Sequence, residues 1–429
     1  MRTIQLAALA FCLAASVAAK PLITSSEETL ARICLAAKES PDRLIEACQA
    51  ALQVPGLTNK QSAELHVGLG DALLWSDLDA EASESYRAAL DFDPADVDAW
   101  NGLGWALRST DGDSAALEAF EHSLSIDVSV QGLGGKAATA RELGLIDGDA
   151  SRKLLKASLA IDPEYIWALR EIAWSHFDEA NYAEAVRSFE AALAITATDK
   201  NSPYGLGRSA LKSGDGLRAL QAFNAVIEHS PDHFYSRVYR IIALRGLDRN
   251  AQALRDAERL IADHPDRSSG YIEKGLSLMA LERRAEAIET YRRAEEVVGP
   301  NNAVLYWHAD ALTDDGRMEE ALATIDRGIS LEGADHSDYL LKSYIAIEME
   351  NYALARQAAE ASLDTGVDDP WAHYYIAIAM VHAGKADEGI ERFDTAIMRG
   401  LPDDRVGAFA RELIAAGKFI EAMQLRIKY

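Results

Sequence analysis

The regular spacing of small and aromatic residues constrains the fold of this chain more than any other feature. Gly70 and Gly104 lie 34 residues apart, and the same interval separates Tyr86 from Phe120. Landmarks in the same register are Ala82, Ala116, Ala185, Ala219 and Ala287; Phe189, Phe223, Tyr291 and Phe393; and Pro94, Pro163, Pro231 and Pro265. Ten units then begin near residues 63, 97, 132, 166, 200, 234, 268, 302, 336 and 370, with one step of 35. Such a period predicts a tandem repeat array.

The residue types within one period predict two antiparallel helices. Small residues on the first helix and alanines on the second let the two backbones approach closely. Aromatic residues fill the space between neighbouring units, and proline ends the second helix because it cannot continue the hydrogen-bond ladder. Polar turns rich in Gly and Asp, such as residues 111–113 and 213–215, would join the two helices.

The order small, Ala, aromatic, Ala, Pro at this spacing resembles the tetratricopeptide repeat family over residues 61–402. The resemblance implies an all-α fold, a right-handed superhelix (alpha-solenoid) of about 10–12 antiparallel helix pairs. The unit from 132 keeps only Pro163 clearly, Ala257 stands where an aromatic residue is expected, and Gly389 stands where Ala is expected. Because terminal units lack a neighbour, we expect residues 20–60 to form an N-terminal capping helical hairpin and residues 403–429 to form C-terminal capping helices.

The amino terminus has the order of features of a secretory signal. Arg2 precedes an apolar run over residues 6–17, and Ala18 and Ala19 follow it. We predict a signal peptide over residues 1–19, cleaved after Ala18 or Ala19, and a periplasmic or secreted protein. The alternative is an uncleaved amino-terminal anchor. No later segment has the length and apolarity of a membrane span.

Two cysteines remain after this cleavage. Cys34 lies seven residues before Pro41 and Cys48 lies seven residues after it, so the pair would face each other across a helical hairpin. An oxidising compartment favours a disulfide between them. The alternative is two buried free thiols.

The chain shows no residue pattern typical of catalysis, cofactor binding or metal binding. Residues 132–136 resemble part of a phosphate-binding loop, but Ala137 replaces the required Ser or Thr. Pro231 separates His229 from His233, so the two imidazoles cannot share a helical face. A formal net charge of −25 argues against a nucleic-acid partner, which requires a concentrated basic face.

A partner would therefore bind to a surface. The resemblance implies that positions 2, 5, 9, 12 and 13 of each unit line a groove formed by the first helices. These positions give a partner-binding set of Trp75, Trp105, Arg108, Trp167, Arg170, Trp174, Tyr204, Arg208, Tyr235 and Arg245, with Lys136, Phe177, Lys212, Tyr306, Tyr344, Trp371 and Tyr374 beside them. Aromatic and Arg side chains dominate the energy of protein interfaces, and Arg binds carboxylates through paired hydrogen bonds. Alternatively, the aromatic residues pack inside their own units and the basic residues pair with local carboxylates.

These observations predict a non-catalytic scaffold for another protein in cell-envelope assembly. The partner would be a peptide segment with acidic groups and aromatic or apolar anchors. The alternative is a carbohydrate-binding or polysaccharide-export accessory protein, because Trp and Tyr also stack on sugar rings. A neutral glycan, however, would have no use for Arg170, Arg208 and Arg245.

Overall fold

The computed structural model describes residues 27–35, 40–110 and 112–429, which form α-helices and no strand. The helices are α1 (Glu27–Cys34), α2 (Pro41–Leu52), α3 (Asn59–Trp75), α4 (Asp79–Phe92), α5 (Val97–Ser109), α6 (Asp113–Ile126), α7 (Val130–Glu142), α8 (Gly148–Ile161), α9 (Ile166–Asp178), α10 (Tyr182–Ile195), α11 (Ser202–Lys212), α12 (Gly216–His229), α13 (Phe234–Gly246), α14 (Asn250–Asp263), α15 (Ser268–Ala280), α16 (Arg284–Val297), α17 (Asn302–Asp314), α18 (Met318–Ile329), α19 (His336–Glu348), α20 (Tyr352–Asp364), α21 (Pro370–His382), α22 (Ala386–Met398), α23 (Arg405–Ala415) and α24 (Phe419–Lys428). The predicted all-α repeat fold is confirmed. No helix in this part of the chain is long and apolar enough to span a bilayer.

The helices form two compact units, which divide between His229 and Ser230. In unit 1, hairpins such as α3–α4, α5–α6 and α9–α10 stack in chain order, and in unit 2 hairpins such as α15–α16, α17–α18 and α19–α20 do the same. The first helices of successive hairpins also touch one another, as α3, α5 and α7 do in unit 1 and α15, α17 and α19 do in unit 2. Each unit therefore has a layer of first helices, and we call its solvent-exposed side the first-helix face.

Rings from the second helices hold neighbouring hairpins together. Phe120 on α6 is fully buried between α5 of its own hairpin and α7 of the next. A Cβ atom added to Gly104 on α5 would lie 2.7 Å from this ring, and one added to Gly135 on α7 would lie 2.2 Å from it. Phe189 meets Gly205 in the same way, at 2.2 Å. The recurrent glycines are thus required by close approach of ring and backbone.

In the repeat that begins at residue 234, the large buried side chain lies on the first helix instead of the second. Ala257 takes the place of the ring on the second helix and is fully buried. In the repeats before and after, the first helix has a glycine at this register position: Gly207 lies against Phe223, and Gly275 lies against Tyr291. On α13 the same position is Ile241, which is also fully buried. A large residue on the first helix therefore compensates for a small residue on the second, as conserved core volume requires.

The register predicted for the unit from 132 is wrong for its first helix. α7 begins at Val130, 33 residues after the start of α5 at Val97, and the turn before α8 covers residues 143–147. The additional residue of the repeat therefore lies in this longer turn. Lys136 consequently faces α6 and pairs with Glu121 at 2.9 Å. Arg141 and Glu142 take the groove positions of this unit instead.

The structure joins the two cysteines near the amino-terminal end. Cys34 on α1 and Cys48 on α2 are buried, their Cα atoms lie 4.7 Å apart, and their sulfur atoms are bonded. This separation lies within the range of protein disulfides. The oxidation state of the pair in the cell stays a prediction, and the predicted signal peptide lies outside the described residues.

The last helix pair has an apolar outer surface. α23 packs through Phe409 and Leu413, which are fully buried. The opposite side of α24 exposes Phe419, Ile420, Met423 and Ile427. A polar outer face is expected of a terminal cap, so α24 departs from that expectation.

Candidate functional site

Four of the groove positions form one cluster on the first-helix face of unit 1. Trp174 and Phe177 lie one turn apart on α9, and Tyr204 and Arg208 lie one turn apart on the neighbouring helix α11. The Arg208 guanidinium carbon is 4.7 Å from the ring centre of Phe177, 5.4 Å from that of Trp174 and 5.7 Å from that of Tyr204. All four side chains are partly exposed. We call this group the aromatic–arginine cluster.

The contacts within the cluster fix its shape. The ring of Trp174 packs edge-on against Phe177 at 5.5 Å and against the buried Phe189 at 5.2 Å. Because these rings surround the guanidinium, cation–π attraction holds Arg208 in place. Lys212, one turn further along α11, is exposed and makes no ion pair within the described residues. The cluster therefore presents apolar ring edges and positive charge side by side.

Charges nearer α5 are largely balanced inside the unit. Arg108 binds Glu142 at 2.5 Å and Asp113 at 3.5 Å, and Arg141 lies 3.6 Å from Asp178. Burial raises the pKa of Glu171, although Arg141, Arg108 and Arg170 act in the opposite direction. Pairing with local carboxylates, the alternative interpretation of the basic residues, thus holds for Arg108.

Three of the predicted partner-binding residues are buried. Trp105 packs edge-on against Trp167 at 5.1 Å and against Phe120 at 5.2 Å. Trp167 is 3% exposed, and Arg170 is 1% exposed and binds the buried Asp199 at 3.1 Å. These side chains offer almost no surface to a partner, because their helix positions turn them toward neighbouring helices. We therefore assign these three residues to packing and not to partner binding.

The other predicted residues lie apart from the cluster along the chain. Trp75 ends α3 and is 44% exposed. Tyr235 on α13 of unit 2 is 57% exposed and packs edge-on against Phe234. Arg245, also in unit 2, binds Glu273 at 3.0 Å. The carboxylate that pairs with Arg245 therefore lies in unit 2 as well.

The first-helix face of unit 2 also carries acidic residues, which are not among the predicted partner-binding residues. Asp310 and Asp314 occupy groove positions 9 and 13 of the unit from 302, one turn apart on α17, next to Tyr306. Tyr344 on α19 lies 6.3 Å from Tyr375 on α21, measured between ring centres. The groove positions alone indicate both aspartates, whereas the residue types typical of interfaces indicate only the aromatic and basic residues.

No group of three or more His, Cys, Asp or Glu side chains among the described residues could hold a metal ion.

Comparison with known proteins supports the resemblance to the tetratricopeptide repeat family. The family description "Tetratricopeptide repeat" matches residues 204–268, 240–296 and 272–335. Superkiller protein 3 of Schizosaccharomyces pombe is 25% identical over 205 residues, which are 46% of this chain and 15% of that protein. The STIP1 homolog of Dictyostelium discoideum is 35% identical over 108 residues, 25% of this chain and 18% of that protein. The chain therefore spans only a small part of the length of these relatives.

Solved structures of repeat proteins are also similar. A tetratricopeptide repeat protein from Parabacteroides merdae is 20% identical with a TM-score of 0.39, and the match covers 59% of this chain and 99% of that one. Pseudomonas aeruginosa pilF is 16% identical with a TM-score of 0.44, covering 53% of this chain and 99% of that one. Proteins built from tetratricopeptide repeats generally act as protein-interaction scaffolds.

Proposed function

We propose that this chain is a non-catalytic scaffold that binds a segment of another protein on the first-helix face of unit 1. The aromatic–arginine cluster carries the proposal, because it places partly exposed rings and a fixed guanidinium on adjacent helices. Trp, Tyr and Arg are the side chains that most often dominate binding energy at protein interfaces. The segment would place an apolar or aromatic side chain against Trp174 and Tyr204.

The positive charge of the cluster indicates the second requirement of the partner. Arg208 is held by the rings of α9 and α11, and Lys212 lies one turn further along the same helix. A carboxylate of the segment would bind these two cations through charge-assisted hydrogen bonds. The buried Arg170 and the paired Arg108 would remain with their own carboxylates.

The ring geometry favours a peptide over a neutral glycan. A sugar ring stacks on an open aromatic face. The ring of Trp174 is already in contact with Phe177, Phe189 and the Arg208 guanidinium. A peptide side chain can use the remaining ring edges, so we favour a peptide segment as the occupant.

The proposal includes export to the cell envelope. The signal-like order of residues 1–19 and the pairing of Cys34 with Cys48 support an oxidising compartment outside the cytoplasm. Mass determination of the protein purified from a periplasmic fraction or the medium tests this point. Export predicts a chain that begins at Ala19 or Lys20 in one of these fractions, whereas a protein that is found only in the cytoplasmic fraction with Met1 intact would contradict it.

Site-specific photo-crosslinking in cells tests the binding face. A photoreactive phenylalanine derivative replaces Tyr204 in one protein and Leu217 in the control. Leu217 lies on α12 of the same unit and is 55% exposed, whereas Tyr204 is only partly exposed, so the control has the more accessible reactive group, on a second helix. We expect a discrete adduct from position 204 only, and we expect Trp174→Ala to abolish it. Equal adducts from both positions would refute the assignment of this face.

A further inference from the structure

Two carboxylates on the first-helix face of unit 2 have no cation of their own. Asp310 is half-buried and Asp314 is exposed. Burial and the charge of Asp314 raise the pKa of Asp310 to about 6. Within the described part of the chain, no Lys, Arg or His side chain lies within ion-pair distance of either carboxylate.

Other carboxylates in unit 2 are neutralised by this chain. Glu273, buried on α15, binds Arg245 at 3.0 Å, and Asp256 on α14 binds Arg240 at 3.1 Å. Burying a carboxylate without a partner is costly because it loses its hydration. The arrangement at Asp310 therefore differs from that at Glu273 by the lack of an internal cation, although both carboxylates lie on first helices.

The groups around Asp310 are suited to a cation. Tyr306 lies one turn earlier on α17, and Tyr344 on α19 is 39% exposed. Burial raises the pKa of the Tyr344 hydroxyl. The charges of Glu348, Asp314 and Asp310 raise it further, and Arg405 acts in the opposite direction. Phenol rings attract ammonium and guanidinium groups through their π faces. Negative charge and ring surface thus meet at this place.

A buried hydroxyl provides a further polar group at the site. Tyr291 on α16 is fully buried, and its hydroxyl oxygen has no hydrogen-bond partner. The ring passes over Gly275 on α15, where an added Cβ would lie 2.5 Å from the hydroxyl oxygen, so the hydroxyl points into the first-helix layer. Burial and the charge of Asp310 both raise the pKa of Tyr291, whereas Arg245 acts in the opposite direction. Buried polar groups normally find a partner, and a bound donor would supply one here.

We infer that Asp310, Asp314, Tyr306, Tyr344 and Tyr291 form a binding site for the ammonium or guanidinium group of a Lys or Arg side chain in a partner protein. The carboxylates supply the negative charge, the half-buried Tyr306 and the exposed Tyr344 supply ring surface, and the Tyr291 oxygen is an acceptor that has no partner in this chain. The occupant is basic because the site is rich in acceptors and neither Asp310 nor Asp314 forms an ion pair within the described residues. The inference does not rest on the proposed function, whose residues lie in unit 1.

Fluorescence anisotropy with a defined probe tests the site. The probe is a fluorescein-labelled Arg-Gly-Ser repeat peptide, and its analogue carries neutral citrulline at every Arg position. Titrations are run at physiological ionic strength, because salt screens the attraction of a strongly acidic protein for any cation. We expect Asp310→Asn/Asp314→Asn to weaken binding by about tenfold or more, the loss expected for a charged hydrogen-bonded contact. The citrulline peptide should bind no better to wild type than to this variant.

A matched control separates the site from overall charge. Glu319→Gln/Glu332→Gln removes the same charge from two exposed residues of unit 2 that form no ion pair among the described residues. This control should bind the probe like wild type. Tyr344→Leu, which keeps both carboxylates, should also weaken binding, and thermal denaturation verifies that each variant is folded. The inference is overturned if the aspartate variant and the control bind equally, or if wild type does not bind the arginine peptide.

Discussion

The contact between ring and glycine backbone at hairpin boundaries gives a quantitative prediction at Gly205. An alanine at this position would place its Cβ 2.2 Å from Cζ of Phe189 and 2.5 Å from Cε1. Ordinary contacts of this kind exceed 3.4 Å, so the ring or helix α11 would have to move by about 1 Å. Overpacking of this kind costs about 1–3 kcal/mol, and the higher helix propensity of Ala returns about 1 kcal/mol. We expect Gly205→Ala to lower the free energy of unfolding by about 0–2 kcal/mol.

A double-mutant cycle identifies the ring as the cause. Phe189→Leu removes the ring atoms that the new methyl group would meet, at a cost of about 1 kcal/mol on its own. In that background Gly205→Ala should be neutral or stabilising, because only the helix-propensity gain remains. The coupling free energy between the two changes is then about 1–3 kcal/mol.

Urea unfolding followed by circular dichroism and tryptophan fluorescence measures each corner of the cycle. Trp174 packs 5.2 Å from Phe189 and reports on this contact directly. Gly407→Ala is the control, since Gly407 lies on helix α23 and an added Cβ meets nothing within 4 Å. This control should gain about 0.5–1 kcal/mol. If Gly205→Ala stabilises the protein as Gly407→Ala does, the ring does not require glycine and the packing argument fails.

Three further predictions concern buried polar groups and the cysteine pair. Burial raises the pKa of Asp71 from 3.8 to about 6 although Tyr86 donates a hydrogen bond to it, so the folded state binds this proton more tightly than the unfolded state. The free energy of unfolding should therefore fall as pH rises from about 4 to about 6. Asp71→Asn should be more stable than wild type by about 1–2 kcal/mol at pH 7 but not at pH 4, and urea unfolding at both pH values measures the difference. Asp199→Ala leaves the buried Arg170 guanidinium without its carboxylate and should cost about 3–5 kcal/mol, whereas a smaller loss, by the same measurement, would indicate that water reaches the guanidinium. Cys34→Ser should lower the thermal midpoint of the oxidised protein and leave that of the reduced protein nearly unchanged, with an effect of about 2–3 kcal/mol; equal midpoints under oxidising conditions would contradict a stabilising bridge.

The sequence was sufficient to predict the repeat because its signal is a spacing. Tyr86 and Phe120 are separated by one repeat period, and each ring must meet a small residue on a first helix. The period therefore predicts both the pairing of the helices and the residues of the core. The substitution of Ile241 and Ala257 for a glycine and a ring preserves the same volume. No linker marks the division after His229, since α12 ends at His229 and α13 begins at Phe234.

The candidate site was only partly predictable because it depends on rotation about each helix axis. One residue of register turns a side chain by about 100°. The longer turn at residues 143–147 shifted the register at Lys136, and Arg141 takes the groove side instead. Trp167 and Arg170 have residue types typical of interfaces, yet the structure buries both. Residue type indicates which side chains could contribute binding energy, but the exposure of each side chain depends on the rotation of its helix.

The contact between ring and glycine also determines which lengths of insertion or deletion the chain can tolerate. Tyr86 meets Gly102 and Phe189 meets Gly205, and in both cases the glycine lies 16 residues after the ring. Removing one whole period between two such boundaries brings an equivalent ring and glycine together, so the junction can close again. Losing a few residues inside a helix would leave the ring opposite a bulkier side chain. Gain and loss of entire hairpins is therefore the route of variation that the packing tolerates, and small insertions are confined to turns, as at residues 143–147.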